Sequence, residues 1–442
     1  MSKASEVEEP IMLTSKVRAR LSRRRFLQWS QAAVATAGAS PFLSHAATAF
    51  GEGPQGAGTS STDYYQKLGV VRLINAAGTY TMYTASTMPP QVQEAVAQAA
   101  RHPVGLLDLQ RAAGEYIAKR LHCEAALVSC GADSALTLAT AAAVLAANPE
   151  LKVGDIPERV PGARNEVIVQ KSHRYGYDHA LHLCGIKFVE VVTLDDYKKA
   201  FTPKTVMTNF FNAAPGGEIG HESWVEVAHA HNVPCNIDAA ADMPPISHLW
   251  KYTKMGFDTV CFSGGKGLRG PQNAGLLLGR KKLIELAASN NNPYDTGVGR
   301  GMKVAKEQII GMVAAVDWIL EQSDEALEKE FTDRANLIGR MVKDIPTMQV
   351  SIFVPPVANH VPHLVLTYDL ATVGITPRQV QQKLRAQSPS IELNPATGSE
   401  KSITGNGSGE NQIVVGTWML QPGEDEIVGR ELRNVLLNPK SV

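Results

Sequence analysis

Seven short apolar runs recur between Ala125 and Leu278, and they constrain the fold more than any other feature of the chain. They are Ala125–Val128, Val167–Val169, Phe188–Val191, Val206–Thr208, Cys235–Ile237, Val260–Phe262 and Gly275–Leu278. Helix-like stretches such as Ser134–Ala147 and His221–His231 lie between most of them. Runs this short and this uniformly apolar fit strands covered on both faces. Their alternation with helices predicts an α/β fold, a mainly parallel sheet with helices on either side. Ligands in such sheets bind just outside the carboxyl ends of the strands, so the residues that follow each run are the candidates for chemistry.

The pattern changes further on. Val304–Glu330 predicts one long helix leaving the sheet region. After Thr332 come a helix at about Arg334–Asp344, strand-like Val350–Val354 and Pro362–Thr367, a helix at about Pro377–Ala386 and an apolar strand at Ile413–Gly416. The polar, glycine-rich stretch Glu400–Asn411 predicts a loop. The expected organisation is a large domain over residues 63–330 and a smaller α+β domain over 331–442.

Two of the strand ends carry complementary groups. Val233-Pro-Cys-Asn-Ile-Asp238 is an apolar strand that closes on a carboxylate. Thr259-Val-Cys-Phe-Ser-Gly-Gly-Lys-Gly-Leu-Arg-Gly-Pro-Gln272 is a strand, a small-residue turn and a single lysine, Lys266. A strand-end Asp followed by a strand-end Lys suits pyridoxal 5'-phosphate (PLP). The lysine amine forms a Schiff base with the aldehyde, and the carboxylate keeps the pyridine nitrogen protonated so that the ring accepts electrons.

Other strand ends supply the remaining candidates. Gly131-Ala-Asp-Ser134 opens an Ala-rich helix, and a helix N-terminus offers free N–H groups and a positive dipole to a phosphate. Gly131, Ala132 and Ser134 fit that cradle. Asp133 fits it only as a cap turned away from the anion, and an ordinary capped turn is the plain alternative. His173 in Gln170-Lys-Ser-His-Arg-Tyr-Gly-Tyr-Asp-His179 is placed to stack on a flat ring, with Tyr175 and Tyr177 as rivals. Asn212 in Phe210-Phe-Asn-Ala-Ala-Pro-Gly-Gly217 either bonds the phenolic oxygen of the cofactor or holds a Pro-Gly turn. Ser263 and Arg269 flank the lysine and could donate to the phosphate. Arg300 and Lys303, at the start of the predicted long helix, suit an anionic group better than solvent.

Composition narrows the partners. There are 43 Lys and Arg against 43 Asp and Glu, so nothing in the charge favours nucleic acid. The five cysteines are unevenly spaced with no close metal-type pair, and are expected as free, mostly buried thiols. Residues 1–49 read as a targeting segment. Ser22-Arg-Arg-Arg-Phe-Leu27 resembles a twin-arginine export signal, followed by an Ala-rich stretch and a small-residue site at Ala47-Thr-Ala49. The expectation is recognition by the twin-arginine translocation machinery and a periplasmic or exported product. Residues 50–62 are Gly-, Ser- and Thr-rich and read as a linker.

Five segments together resemble the selenocysteine synthase-like branch of fold-type I PLP enzymes. This branch includes the L-seryl-tRNA selenium transferases and the D-glucosaminate-6-phosphate ammonia lyase type. The segments are Arg72-Leu-Ile-Asn-Ala-Ala-Gly78, Leu109-Gln-Arg-Ala-Ala-Gly-Glu115, His173–His179, Phe262–Gln272 and Gly299-Arg-Gly-Met-Lys-Val-Ala-Lys-Glu307. The resemblance implies Lys266 as the Schiff-base lysine, Asp238 as the pyridine partner, and a homodimer or higher oligomer with composite sites. The chain departs from the family near Pro422-Gly-Glu424, where Trp418 stands close to an expected arginine. The export signal and balanced charge argue against a tRNA substrate. The expected activity is lyase chemistry on a small amino acid or amino-sugar acid. Racemisation, transamination or aldol cleavage by the same cofactor stays open, as does a non-catalytic exported binding protein on this scaffold.

Overall fold

Twelve strands and their helices account for the residues described by the computed structural model, 62–214 and 216–440. The twin-arginine segment lies outside those residues, as does nearly all of the linker. The chain divides into a unit ending at Val70 and a unit running from Val71 onward. In the first, Asp63 caps the short helix Tyr64–Leu68 by accepting from the Tyr65 and Gln66 amides, and Gly69 ends it in the left-handed conformation.

The second unit holds all the strands: β1 (Leu73–Ala76), β2 (Ala125–Ser129), β3 (Glu166–Gln170), β4 (Lys187–Val191), β5 (Thr205–Phe211), β6 (Cys235–Asp238), β7 (Thr259–Ser263), β8 (Gly275–Gly279), β9 (Gln349–Phe353), β10 (His363–Thr367), β11 (Ser390–Leu393) and β12 (Gln412–Gly416). A seven-stranded sheet runs in the order β2-β8-β7-β6-β5-β3-β4. Its pairs are parallel except that β8 is antiparallel to both neighbours. All seven expected runs lie in it. Every residue of β8 is buried, which explains a run as plain as Gly-Leu-Leu-Leu-Gly.

Each face of the sheet has its own core. One gathers Ile117 and Leu121 from the helix Leu106–Leu121, Trp224 from His221–Ala230 and Met312 from Lys306–Leu320. The other gathers the helix Gly131–Ala147, of which Ala135–Leu145 is buried throughout, with Leu283 and Ile284 from Lys281–Asn290. A third core lies under the antiparallel sheet β12-β10-β9 and the parallel pair β1-β11, covered by the helices Asp324–Val342, Pro377–Ala386 and Glu424–Leu437.

The expected long helix over 304–330 is two helices. Lys306–Leu320 ends, and Ser323 starts Asp324–Val342 by accepting from the Ala326 amide at 3.1 Å, with Asp324 and Glu325 in its first turn. The Ser-Asp-Glu sequence is a helix start, and it overrides the continuous apolar spacing around it. The expected helix at about 334–344 is the second half of that helix. The parallel pairing of β1 with β11 has no precursor in the sequence reading, because both strands are only four residues long and lie far apart in the chain.

Candidate active site

Asp238 and Lys266 reach one edge of the sheet because β6 and β7 are parallel neighbours, with Asp238 paired beside Cys261. Asp238 closes β6, and Lys266 stands three residues past β7. The turn between is glycine-rich because backbones touch there. A β-carbon would lie 2.5 Å from Met312 Sδ at Gly264, 2.6 Å from Gln272 Cα at Gly265, and 2.1 Å from the Met243 carbonyl oxygen at Gly267. Backbone bonds close the turn: Gly264 N–H to Ala274 O and Gly270 N–H to Gly264 O, both 2.8 Å. Ser86 Oγ adds a donor to Gly265 O at 2.7 Å.

Lys266 lines a cavity of about 190 Å³. Its walls include Thr79 and Tyr80 from the segment after β1, Tyr177, His363, Asn394 and Trp418. Burial lowers the pKa of the lysine amine, and the carboxyls of Asp238 and Asp242 draw it back up. The result is an amine that sheds its proton more readily than a surface lysine, as a nucleophile and base requires. Asp238 is buried, which raises its pKa. The Tyr175 phenol, the Ala240 amide and Lys266 oppose that rise. Its Oδ1 accepts from Ala240 N at 3.0 Å, and Tyr175 OH donates to Oδ2.

The phosphate end is legible in the helix Gly131–Ala147. Gly131 has φ +78° and open space where its β-carbon would be. Gly275 packs so closely behind it that a β-carbon there would sit 2.4 Å from the Gly131 carbonyl carbon. Ser134 is 2 % exposed, and its buried hydroxyl has no partner among the described residues. A buried hydroxyl without a partner beside free helix amides is what a phosphate would satisfy. Asp133 lies with Oδ1 3.2 Å from His179 Nε2. Ala132 sits in the first turn, its amide nitrogen 2.9 Å from where a β-carbon on Gly275 would lie. Ser263 ends β7, half-buried. A buried unpartnered hydroxyl at a helix start, a strand-end carboxyl and a buried amine are together the donor set that PLP takes.

Other expected residues are placed differently. His173 is 2 % exposed; its Nδ1 accepts from the Phe211 amide at 3.3 Å and its ring meets Phe210 edge-on. The ring that reaches Asp238 is its rival Tyr175, stacked on Phe211 with centroids 3.8 Å apart. Asn212 spends both amide hydrogens within the protein, on Asp242 Oδ2 at 2.6 Å and Tyr252 OH at 2.9 Å, so the structure leaves it no donor for a phenolic oxygen. Its Oδ1 meets His221 Nε2 at 2.6 Å. Arg269 donates from Nε to the Thr87 carbonyl at 2.9 Å and lies over the Trp318 ring. Arg300 faces Asp295 at 3.6 Å. All five cysteines are free, three of them buried.

Trp418 is 3 % exposed, and its indole N–H has no partner among the described residues. A β-carbon at Gly78 would come within 3.1 Å of that nitrogen, so the glycine makes room for the indole in the cavity wall. Asp242, four residues past Asp238, was not singled out from the sequence. Neither was the Thr79–Thr81 wall, whose position depends on the β1–β11 pairing.

No family model matches the chain. It is 28% identical over 394 residues to a 5'-C-glycyluridine monooxygenase-decarboxylase of Streptomyces, covering 86% of this chain and 93% of the relative. It is 29% identical over 265 residues to a D-glucosaminate-6-phosphate ammonia lyase of Salmonella typhimurium, covering 57% and 69%. An L-seryl-tRNA(Sec) selenium transferase of Aquifex aeolicus is 24% identical over 231 residues, covering 45% and 49%. Among solved structures, a D-glucosaminate-6-phosphate ammonia-lyase superposes with a TM-score of 0.72 at 23% identity, over 85% of this chain and 98% of that one. A SepCysS–SepCysE N-terminal domain complex gives a TM-score of 0.53 at 14% identity, over 86% and 99%.

Proposed function

We propose that this chain is a PLP-dependent lyase of the selenocysteine synthase-like group of fold-type I enzymes, one that takes the Cα proton from a small amino acid or amino-sugar acid and eliminates a group from Cβ. The observation that carries the reading is the meeting of Lys266 and Asp238 at one sheet edge, with Lys266 lining a cavity of about 190 Å³. When bound, PLP supplies the electron sink for charge developing at Cα. The amides opening Gly131–Ala147 and the Ser134 hydroxyl hold its phosphate. Asp238 holds a proton on the ring nitrogen. Lys266 Nζ takes the Cα proton as general base. Trp418 and the Thr79–Thr81 segment narrow the water around that proton. With a hydroxyl as the group lost from Cβ, water leaves and is regained on hydrolysis, so the net products are a keto acid and ammonia.

The test is absorbance and product analysis. PLP added to the purified protein should give a visible band that borohydride bleaches, and Lys266→Ala should abolish both the band and turnover. A panel of β-hydroxy amino acids and amino-sugar acids should yield keto acid and ammonia in equal amounts. A wild-type protein without a visible band would end the PLP reading, and one with a band but no keto acid from any compound would end the elimination reading. The coverage of the Streptomyces relative favours a second reading, decarboxylation at the same carbon with oxygen consumed. Carbon dioxide release with oxygen uptake, and no ammonia-linked keto acid from hydroxy substrates, would select it. We also propose export through the twin-arginine pathway, supported by Ser22–Leu27, and a homodimer, supported by the resemblance.

A further inference from the structure

Asp242 is 2 % exposed, and only one of its oxygens is held. Oδ2 accepts from Asn212 Nδ2 at 2.6 Å and from Tyr252 OH at 3.1 Å, while Oδ1 is buried without a partner among the described residues. The segment that carries it lies against the lysine turn: the Met243 carbonyl oxygen fills the space a β-carbon on Gly267 would need, at 2.1 Å. Its other side borders a second cavity, of about 210 Å³. His221 and His248 line that cavity from two helices, and His360 lines it from the loop before β10. Lys251 adds the one further charge on its wall.

We propose that Asp242 is a second carboxyl of the site, a positioning residue that sets the charge on the Lys266 amine and exchanges its own proton through the histidine-lined cavity. This rests on the reading of Lys266 as the reactive amine. Asp238 is unsuited to the task, because both its oxygens are already engaged, Oδ1 by the Ala240 amide and Oδ2 by the Tyr175 hydroxyl. Two buried carboxyls beside one ammonium do not both stay ionised once that ammonium loses its charge. Asp242 is the member of the pair with an oxygen left for a proton. Burial first, and then Asp238, push its pKa up to about 6, while Asn212, Tyr252 and Lys266 oppose that. The proton lost by Lys266 Nζ then has a carboxylate to move to, and no charge is stranded in the core.

The experiment measures the acidity of Lys266 directly. Competitive acetylation of the full-length, cofactor-free protein with acetic anhydride is followed across pH, and the Lys266 peptide is quantified by mass spectrometry. Asp242→Asn removes a neighbouring negative charge, so the Lys266 midpoint should fall by about one pH unit. Asp242→Glu should keep the wild-type midpoint. In the PLP-loaded protein the pH midpoint of the visible band should move down with the Asn variant. An unchanged midpoint in a folded Asp242→Asn protein overturns the proposal. Should that chain fail to fold, Tyr252→Phe removes one donor from Oδ2, favours the protonated carboxyl and should shift Lys266 in the same direction by less. No shift there overturns it equally. If the wild type takes up no PLP, the function proposed above fails, while the acetylation profile still decides the role of Asp242.

Discussion

Burial at His173 has a consequence that can be measured without any ligand. Its imidazole is enclosed by Gln170, Phe210 and the Phe211 amide, and burial, with a smaller push from His221, lowers its pKa from near 6.5 to about 4. A histidine with a depressed folded-state pKa binds fewer protons folded than unfolded between those values. Its contribution to stability is therefore complete above about pH 6.5 and lost as the pH falls toward 4. Thermal melts of His173→Gln should lose less stability across that window than the wild type, and equal losses would place the proton elsewhere. Residue type alone did not tell His173 from Tyr175, since both follow β3 within a few positions. What separates them is which one turns under Phe210 and which reaches over Phe211. Asp238 was legible because it closes an apolar run directly, and Lys266 because only a small-residue turn separates it from the next run. Asp242 was not, because it stands beyond the strand, in a segment with no periodicity of its own.

At the level of elements, the cradle for the phosphate depends on how closely β8 packs behind the helix Gly131–Ala147. Gly275→Ala places a methyl group against the Gly131 and Ala132 backbones. The helix start must shift, and overpacking of this kind costs about 1–3 kcal/mol. The expected result is a lower melting temperature together with weaker PLP binding, read by titrating the visible band. A variant that loses stability and keeps wild-type PLP affinity would show that this helix does not hold the phosphate. The seven sheet strands were legible because burial on both faces leaves an unbroken apolar run. The divided helix was misread because its apolar spacing continues on both sides of the break. Only the cap at Ser323, a hydrogen bond rather than a hydrophobic pattern, ends one element and begins the next.

Distant stretches of the second unit meet at the cavity. Lys266 comes from the large sheet, Thr79 and Tyr80 from the segment after β1, and His363, Asn394 and Trp418 from the last quarter of the sequence. At this scale the proposals on assembly and export meet their tests. Light scattering of the purified protein should give twice the chain mass, and fractionated cells should hold the protein outside the cytoplasm. A monomer of full activity, or a product confined to the cytoplasm, would refute them respectively. The sequence pattern marked two regions and no contact between them, because pattern reading sees neighbours along the chain and not partners across it.

Asn75 accepts from the Ala77 and Gly78 amides and donates to the Gly78 and Ala85 carbonyls, and Asn394 donates to Ala77 O from 317 residues downstream. A growing polypeptide therefore carries Lys266 for a long stretch of synthesis with one side of the cavity still missing. Closing a loop of that span is slow compared with local folding. The cavity becomes complete only when the C-terminal segments return to the residues after β1, so fragments released early should fail to take up PLP however well their central sheet has formed.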